Sequence, residues 1–455
     1  MRKIVSINPA TGEVNKEFEP HSQEEIDLMI KGSRSAFQQW KNLDVCERVE
    51  YLEKVSKILR RDKEDFGRTI TMEMGKPFKQ AVAEVEKAAV TFDYYVQNAE
   101  RFMEPESVET DAISSGISFE PMGTVLSIKP WNFPFWQVLS SAAHILAGGN
   151  VMLLKHSSYV PICAIEMESV FRDAGVPDGV FQTLMIDGRT ASDIISRDEI
   201  NAVSFTGGYP AGQKVAEAAA RNMKKCVLEL GGSDPFIVLD GADIEKAAKV
   251  GVPTRFLNAG QTCISPKRFI VAESVAEEFT SLFVELTQDL KVGDPMDKDT
   301  YIGPMVRKEQ ADILVKQVEN TLSAGARELL EGGRADREGA FCLPMVLDRV
   351  TTDMTVLREE TFGPVAPIIT FKEEDEAVRI ANDCELGLAA SVWSEDREKA
   401  EQIAHRLETG MVAVNAFFRP EPNLPFGGVK KSGIGRELSR FGFYEFMNIK
   451  SMKIY

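Results

Sequence analysis

The sequence has few cysteines and histidines, and their placement argues against two kinds of site. Its six cysteines form no CxxC pair and no regular framework, which is typical of reduced thiols in a cytoplasmic protein. Its four histidines include no pair at the spacing of metal ligands. We therefore predict no structural disulfide and no metal site.

Long apolar stretches and a positive charge balance are also missing. No uncharged run reaches the roughly 18 residues of a membrane-spanning helix, and the first residues lack the apolar stretch of a signal peptide. The formal net charge of −17 disfavours nucleic acid or an anionic membrane as a partner. We expect a soluble, cytoplasmic protein without nucleic-acid or membrane partners.

The order of predicted elements indicates two α/β domains. Residues 22–107 are predicted to be helical, starting with a capping box formed by Ser22 and Glu25. Strands then alternate with helices in two successive series, which predicts parallel sheets covered by helices, with a boundary near Gly231 and Gly232. The predicted strands are 124–128, 151–154, 202–205 and 236–239 in the first series, and 268–272 and 411–414 in the second. Strand-like segments at 112–120 and 448–455 lie outside both series.

Cys263 is the strongest candidate nucleophile. It follows Gly260, Gln261 and Thr262, and this small, polar context could leave the thiol accessible and ionisable. The alternative is a buried core cysteine, because free cysteines are among the most buried residues.

Asn132 lies in a loop fixed by two prolines and two aromatic residues, directly after the strand 124–128. A rigidly aimed amide can stabilise an oxyanion, although an asparagine here could instead cap the next helix. Glu229 lies between two leucines before a Gly-Gly turn, where desolvation would raise its pKa towards that of a general base. A solvated strand-end carboxylate is the alternative for Glu229.

Two further segments could bind a nucleotide. Glu360 could accept hydrogen bonds from a ribose diol, and Phe362 could pack on a nicotinamide; a solvated Glu-Glu pair at a helix end is the alternative. Thr206, Gly207 and Gly208 lead from a strand into a helix whose N-terminus could face a pyrophosphate. Neither dinucleotide fingerprint is complete there, so this signal alone is weak.

Together these segments resemble the aldehyde dehydrogenase family along essentially the whole chain. The sequence is most similar to its succinate-semialdehyde dehydrogenase-like branch. The motifs that carry the resemblance are PWNFP at 130–134, LLKHSS at 153–158, FTGGYPAG at 205–212, LELGGSDP at 228–235, GQTC at 260–263, EETFGP at 359–364, NDCELGLAAS at 382–391 and PFGGVKKSGIGRE at 425–437.

The resemblance implies the NAD(P)-dependent oxidation of an aldehyde to a carboxylic acid. Cys263 would attack the aldehyde, Asn132 and the Cys263 N–H would hold the oxyanion, and Glu229 would activate water to hydrolyse a thioester. The implied coenzyme-binding residues are Trp131, Lys155, Ser158, Thr206, Gly207, Gly208, Glu360 and Phe362. A glutamate at position 158 would favour NAD by repelling a 2′-phosphate. Ser158 therefore predicts that NADP is used at least as well as NAD.

The substrate is less well defined by the sequence. The branch commonly binds a substrate carboxylate with an arginine and a serine, but the corresponding residues here are Ser140 and Pro420. Arg419 could substitute for the missing cation. The expected tunnel residues are Phe133, Gln137, Ser140, Arg419, Pro420 and Phe426. Succinate semialdehyde and neutral aliphatic or aromatic aldehydes both stay open as substrates.

The resemblance also implies the domain organisation. A Rossmann-like coenzyme domain would comprise residues 1–109 and 123–231, and a catalytic domain residues 232–436. Residues 110–122 and 437–455 would form a β-strand arm that pairs with another subunit in a homodimer or homotetramer. Two other functions compete with this one. A CoA-acylating enzyme would tend to lack Glu229, and a catalytically silent binding protein would not need the intact set of site residues.

Overall fold

The computed structural model describes residues 3–455 of the chain. Within this range the α-helices are α1 (Gln23–Trp40), α2 (Val45–Arg61), α3 (Lys63–Met74), α4 (Phe78–Met103), α5 (Trp136–Ala147), α6 (Pro161–Asp173), α7 (Gly188–Ile195), α8 (Tyr209–Arg221), α9 (Ile244–Phe256), α10 (Ala276–Gln288), α11 (Lys308–Ser323), α12 (Thr355–Arg358), α13 (Glu374–Asn382), α14 (Arg397–His405) and α15 (Ser439–Glu445). Short 3-10 helices span Leu257–Gly260 and Glu273–Val275.

The strands, again in chain order, belong to large parallel sheets and to small antiparallel ones. They are β1 (Ile4–Ile7), β2 (Val14–Phe18), β3 (Glu106–Ser107), β4 (Ser114–Pro121), β5 (Thr124–Lys129), β6 (Val151–His156), β7 (Phe181–Thr183), β8 (Ile200–Thr206), β9 (Lys225–Glu229), β10 (Asp234–Val238), β11 (Pro266–Ala272), β12 (Arg327–Leu330), β13 (Gly333–Arg334), β14 (Cys342–Leu343), β15 (Met345–Asp348), β16 (Val365–Phe371), β17 (Leu386–Gly387), β18 (Ala389–Trp393), β19 (Met411–Val414), β20 (Val429–Lys430), β21 (Gly433–Ile434) and β22 (Met447–Ile454).

The N-terminal helices begin with the predicted capping box. The Ser22 hydroxyl accepts a hydrogen bond from the Glu25 N–H, and the Glu25 carboxylate accepts one from the Ser22 N–H at 2.7 Å. The apolar faces of these helices are buried together with α5, and the buried Trp40 indole donates to the carbonyl of Leu146 at 2.9 Å. This packing anchors the helical segment to the sheet domain that follows.

The first large sheet has the strand order β21-β9-β8-β5-β6-β7. The strands from β9 to β7 are parallel, whereas β21 joins the edge of β9 in antiparallel orientation. The carboxyl ends of β5, β8 and β9 lead into the loops that contain Asn132, Gly207 and Gly231. Since parallel strands end at the same edge, these loops share one side of the sheet.

The second large sheet has the strand order β12-β15-β16-β11-β10-β18-β19 and a core of its own. Its strands are parallel except for the antiparallel β12. The loop before β11 contains Cys263, and the segment before β16 contains Glu360. The predicted α/β class with parallel sheets is therefore confirmed.

A separate antiparallel sheet has the order β22-β4-β3. Its main pair runs in unbroken register from Met447 opposite Pro121 to Ile454 opposite Ser114. The two strand-like segments of the sequence thus pair with each other. Among residues 3–455, no helix is long and apolar enough to cross a membrane.

Candidate active site

Cys263 lies on a tightly wound loop between α9 and β11. Asn258 and Ala259 both adopt left-handed backbone conformations, with φ of 54° and 55°, so the loop stores local strain. The buried Gln261 side chain compensates, because its Nε2 donates to the Asn258 carbonyl and its Oε1 accepts from the Val306 N–H. The loop is therefore held rigidly around a half-buried thiol.

Asn132 is bound to the cysteine loop and does not cap α5. Its Nδ2 donates to the carbonyl of Gln261 at 3.0 Å, and its own carbonyl accepts from Asn258 Nδ2 at 2.8 Å. A primary amide has two N–H groups, so one remains free for a ligand. The main-chain N–H of Cys263 also has no acceptor within residues 3–455. The Asn132 amide and the Cys263 N–H thus each offer a free donor, and their two loops are hydrogen-bonded to each other.

A buried ion pair also holds the Asn132 loop in place. Lys76 and Glu84 contact each other with both side chains about 1% exposed, and Lys76 Nζ also donates to the Asn132 carbonyl at 2.9 Å. Glu84 accepts from the N–H groups of Phe135 and Trp136, where α5 begins. Burial lowers the pKa of Lys76, and the Glu84 carboxylate opposes this shift.

Lys267 connects the cysteine loop to Glu360. Its fully buried ammonium donates to the carbonyls of Thr262 and Cys263, at 2.8 and 2.6 Å, and lies 3.3 Å from the Glu360 carboxylate. Burial raises the pKa of the Cys263 thiol to about 12, and Lys267 is the main charge that opposes this shift. The thiol is thus a nucleophile that needs a base to ionise it.

Glu229 is an isolated carboxylate at the end of β9. Its side chain is 2% exposed, and neither oxygen has a hydrogen-bond partner among the residues that the structure describes. A Cβ at Gly427 would lie 2.5 Å from Glu229 Oε1, so the glycine makes room for the carboxylate. The solvated alternative considered for Glu229 is therefore wrong.

Charged neighbours set the ionisation of Glu229. Burial raises its pKa well above the usual value, the Glu437 carboxylate raises it further, and Lys129 opposes the shift. Lys129 is itself buried, ion-paired with Glu437 at 2.6 Å, and donates to Thr206 Oγ1 at 3.0 Å. A buried carboxylate without hydrogen bonds and with a raised pKa has the properties of a general base.

The Glu360 segment lies beside the cysteine loop. Glu360 accepts a hydrogen bond from the Gly232 N–H, and a Cβ at Gly231 would meet its carboxylate at 2.1 Å. The Phe362 ring is T-shaped against Trp131, with 5.6 Å between the ring centroids. The solvated Glu-Glu pair is thus not what the structure contains, since Glu360 is partly buried and ion-paired.

The residues expected around the rest of a dinucleotide fit such a ligand. Gly208 caps α8 without a side-chain hydrogen bond, and its Cβ position is open, so a ligand can approach this end of the helix. Gly207 donates its N–H to the Glu229 carbonyl. Lys155 is half-buried and has no ion pair anywhere in residues 3–455, and Ser158 is exposed near it. A ribose or a phosphate would supply partners for these groups.

The expected tunnel residues separate into two groups. Trp136, on α5, packs T-shaped against Phe133 and Phe426, with centroids 6.5 and 6.1 Å apart. The neighbouring Gln137 is buried, and its Oε1 has no partner in the described chain. The rings of Phe133, Trp136 and Phe426 therefore pack together, and we call this group the aromatic wall.

The two positions at which a carboxylate clamp is expected differ in their exposure to solvent. Ser140 is fully buried, and its hydroxyl donates to the Gln137 carbonyl at 3.4 Å. Pro420 is partly exposed, and the adjacent Arg419 is exposed and forms no ion pair within residues 3–455. Arg419 is nevertheless close enough to oppose the rise in the pKa of Tyr301 that burial causes, and to add to the lowering of the pKa of Lys87.

Sequence reasoning missed the residues that support these groups. They are Lys76, Glu84, Lys87, Asn258 and Lys267. All are charged or amide side chains, and all except the half-buried Lys87 are buried, which is rare without a partner. Their contacts with Asn132, Glu360 and Trp136 join distant parts of the chain, so no local motif could have identified them.

Comparison with known proteins agrees with this geometry. A family model for the Aldehyde dehydrogenase family matches residues 1–452. The chain belongs to the aldehyde dehydrogenase family.

Two similar proteins within this family are named for succinate semialdehyde. The chain is 44% identical over 448 residues to the succinate semialdehyde dehydrogenase [NAD(P)+] Sad of Escherichia coli, covering 98% of this chain and 97% of that protein. It is 39% identical to the succinate-semialdehyde dehydrogenase [NADP(+)] of Deinococcus radiodurans, covering 100% and 95%.

A solved structure of this family is similar over almost its full length. The succinic semialdehyde dehydrogenase of Streptococcus pyogenes, in complex with NADP+, has a TM-score of 0.97 and 35% identity, with 99% of each chain covered. The aldehyde dehydrogenase fold predicted from the sequence is therefore confirmed across the described residues.

Proposed function

We propose that this aldehyde dehydrogenase oxidises succinate semialdehyde to succinate through Cys263, with NADP+ preferred over NAD+. The observation that carries the reaction is the pair of free donors at the thiol, the Cys263 N–H and the second N–H of Asn132. They are placed to bind an oxygen that becomes negative when the sulfur attacks a carbonyl carbon. The names of the similar proteins support the substrate and the coenzyme.

Cys263 loses its proton before it attacks. Because burial keeps the thiol protonated, the proton must pass to a base, and Glu229 is a buried carboxylate whose charge also raises the pKa of Cys263. The sulfur then bonds to the aldehyde carbon, and the resulting oxyanion accepts hydrogen bonds from the two donors.

A bound coenzyme would supply the acceptor for the hydride of this carbon. Glu360, Phe362 and Trp131 would hold its nicotinamide end, and Thr206, Gly207, Gly208, Lys155 and Ser158 the remainder. Glu229 releases the thiol proton to solvent and, deprotonated again, takes a proton from water, which attacks the thioester on Cys263. The acid leaves, and the thiol is restored.

Ser158 is the residue on which the coenzyme preference depends. A serine leaves room for a 2′-phosphate beside the unpaired Lys155, whereas a carboxylate would repel it. We expect Ser158→Glu to lower kcat/KM for NADP+ by about tenfold or more, with a much smaller change for NAD+. A tenfold preference of the unchanged enzyme for NAD+ would contradict the proposal.

Neutral aldehydes are the competing substrates, because Ser140 and Pro420 stand where a carboxylate clamp is expected. Initial rates of NADPH formation, measured at 340 nm, should be compared for succinate semialdehyde, butanal and benzaldehyde. A higher kcat/KM for succinate semialdehyde supports the proposal. A higher value for either neutral aldehyde would replace it with the competing substrate class.

We further propose the domain division given by the resemblance, with the coenzyme domain at 1–109 and 123–231 and the catalytic domain at 232–436. Its support is that β9 and β10, on either side of Gly231 and Gly232, belong to different sheets. All six cysteines are unpaired, which supports a cytoplasmic location.

The arm, residues 110–122 and 437–455, would join two copies into a homodimer or a homotetramer. Its strand β22 exposes Ile449, Met452 and Ile454, each more than half accessible. Exposed apolar side chains on an edge strand favour pairing with another chain. Light scattering at micromolar concentration should give at least twice the chain mass, and a monomeric mass would refute the arm's role.

A further inference from the structure

Lys87 is a cation without a counter-ion beside the aromatic residues that are expected to line the substrate tunnel. It lies on α4, and its Nζ is 4.0 Å from the centroid of the Trp136 ring. The same ring packs against Phe133 and Phe426. Lys87 therefore contacts the aromatic wall from a helix that sequence analysis did not connect with the site.

Three fully buried lysines near the site are paired, whereas the half-buried Lys87 is not. Lys76 pairs with Glu84, Lys129 with Glu437, and Lys267 with Glu360. No carboxylate between Lys3 and Tyr455 lies within ion-pair distance of Lys87, although the side chain is half-buried. An unpaired buried charge is costly, and such groups are retained where a ligand completes them.

The surrounding charges make this part of the site attractive to an anion. The pKa of Lys87 is lowered to about 8, mainly by burial; Glu84 and Cys263 oppose this shift, and Lys76 and Arg419 add to it. Arg419 and Lys87 thus repel each other, and Arg419 has no ion pair in the described chain either. The indole N–H of Trp136, in the ring that Lys87 covers, is buried and also lacks an acceptor.

We propose that Lys87, assisted by Arg419, binds the carboxylate at the far end of an aldehyde substrate and so determines the preference for acidic aldehydes. The cation reaches the tunnel from α4 and takes over the role of the clamp that is absent at Ser140 and Pro420. The inference rests on the proposed function, since it assumes that the aldehyde end of the substrate meets Cys263.

The kinetic test compares Lys87→Met with Lys79→Met, which removes an exposed lysine from the same helix. For succinate semialdehyde, we expect Lys87→Met to raise KM about 10- to 100-fold with a small change in kcat, because the ion pair is lost in ground and transition states alike. For butanal the change should be about threefold or less. Lys79→Met should match the unchanged enzyme, and Lys87→Arg should recover most of the loss.

A pH profile separates charge recognition from packing. Lys87 is charged below its pKa, so KM for succinate semialdehyde should rise above about pH 8, while KM for butanal should not. Lys87→Met should remove this rise. Equal losses for both aldehydes, or no change in KM for the acidic one, would overturn the role of Lys87.

A binding measurement separates this inference from the proposed reaction. Succinate binding is measured by calorimetry in Cys263→Ala protein, with and without Lys87→Met. Weaker binding of about tenfold or more in the double variant supports carboxylate recognition, even if no aldehyde is turned over. Equal binding would overturn it, and absence of turnover by the unchanged enzyme would instead contradict the proposed function.

Discussion

Lys267 donates a hydrogen bond from its buried ammonium to the main-chain carbonyl of Cys263 at 2.6 Å. The same ammonium binds the Thr262 carbonyl and pairs with Glu360. One side chain thus orients the loop of the candidate nucleophile and the carboxylate expected to bind a ribose. It is also the main positive charge that opposes the raised pKa of the thiol.

Replacing Lys267 with methionine should disturb both the Cys263 loop and the position of the Glu360 carboxylate. Hydrogen bonds from a buried charged donor contribute about 1.5–3 kcal/mol each, so we expect kcat/KM to fall by about 10- to 100-fold or more. The pH profile of iodoacetamide alkylation of Cys263 should move to higher pH, because the opposing cation is gone. Lys291→Met, which removes an exposed lysine paired with Asp297, is the control. An unchanged alkylation profile would contradict this account.

The buried pair of Lys76 and Glu84 should contribute to folding as well as to the site. Glu84→Gln leaves the Lys76 charge without its partner in an apolar environment, which typically costs about 3–5 kcal/mol. We expect a clearly lower Tm and, through the Asn132 loop, a lower kcat. Glu86→Gln, on the same helix, breaks an exposed pair with Lys63 and should cost about 1 kcal/mol or less. Thermal unfolding that is equal for the two variants would refute this expectation.

Alternation of strands and helices predicted the order of elements well. The strand 124–128 was found as β5, and the strand 411–414 as β19 with the predicted ends. The central strands β16 and β18 were missed. Their residues are almost all buried, so apolar and polar residues do not alternate, and β16 also contains Pro367. Such strands are hard to distinguish from buried helix without their neighbours.

Sequence motifs identified the candidate reacting residues but not the buried residues that position them. Cys263, Asn132 and Glu229 stand in short segments whose glycines and prolines mark them. Lys267 and Glu84 have no comparable local context, because their roles arise from contacts made only when the sheets and helices pack. Nor could the sequence show that Ser140 is enclosed while Lys87 contacts Trp136.

Glu229 should control the pH dependence of turnover. Its pKa is raised above the usual carboxyl value by burial and by Glu437, and a general base acts only when deprotonated. We therefore expect kcat to rise with pH, with an apparent pKa above the ordinary glutamate value of about 4.3. Glu229→Gln should abolish this rise and lower kcat by about 100-fold or more. Steady-state rates from pH 5 to pH 9 measure the effect.

The matched control for that profile is Glu217→Gln, which removes an exposed carboxylate paired with Arg221 on α8. It should retain the profile of the unchanged enzyme. A Glu229→Gln variant with an unaltered profile would show that another group provides the base.

The central claim is that Cys263 forms the covalent bond to the substrate. The most direct measurement is the mass of the protein quenched in acid during turnover of succinate semialdehyde with NADP+, together with NADPH formation at 340 nm. The account predicts an acyl adduct and turnover for the unchanged enzyme and for Cys226→Ala, whose half-buried thiol also has a pKa of about 12. Cys263→Ala should give neither adduct nor NADPH. Turnover by Cys263→Ala at the rate of the unchanged enzyme would contradict the account.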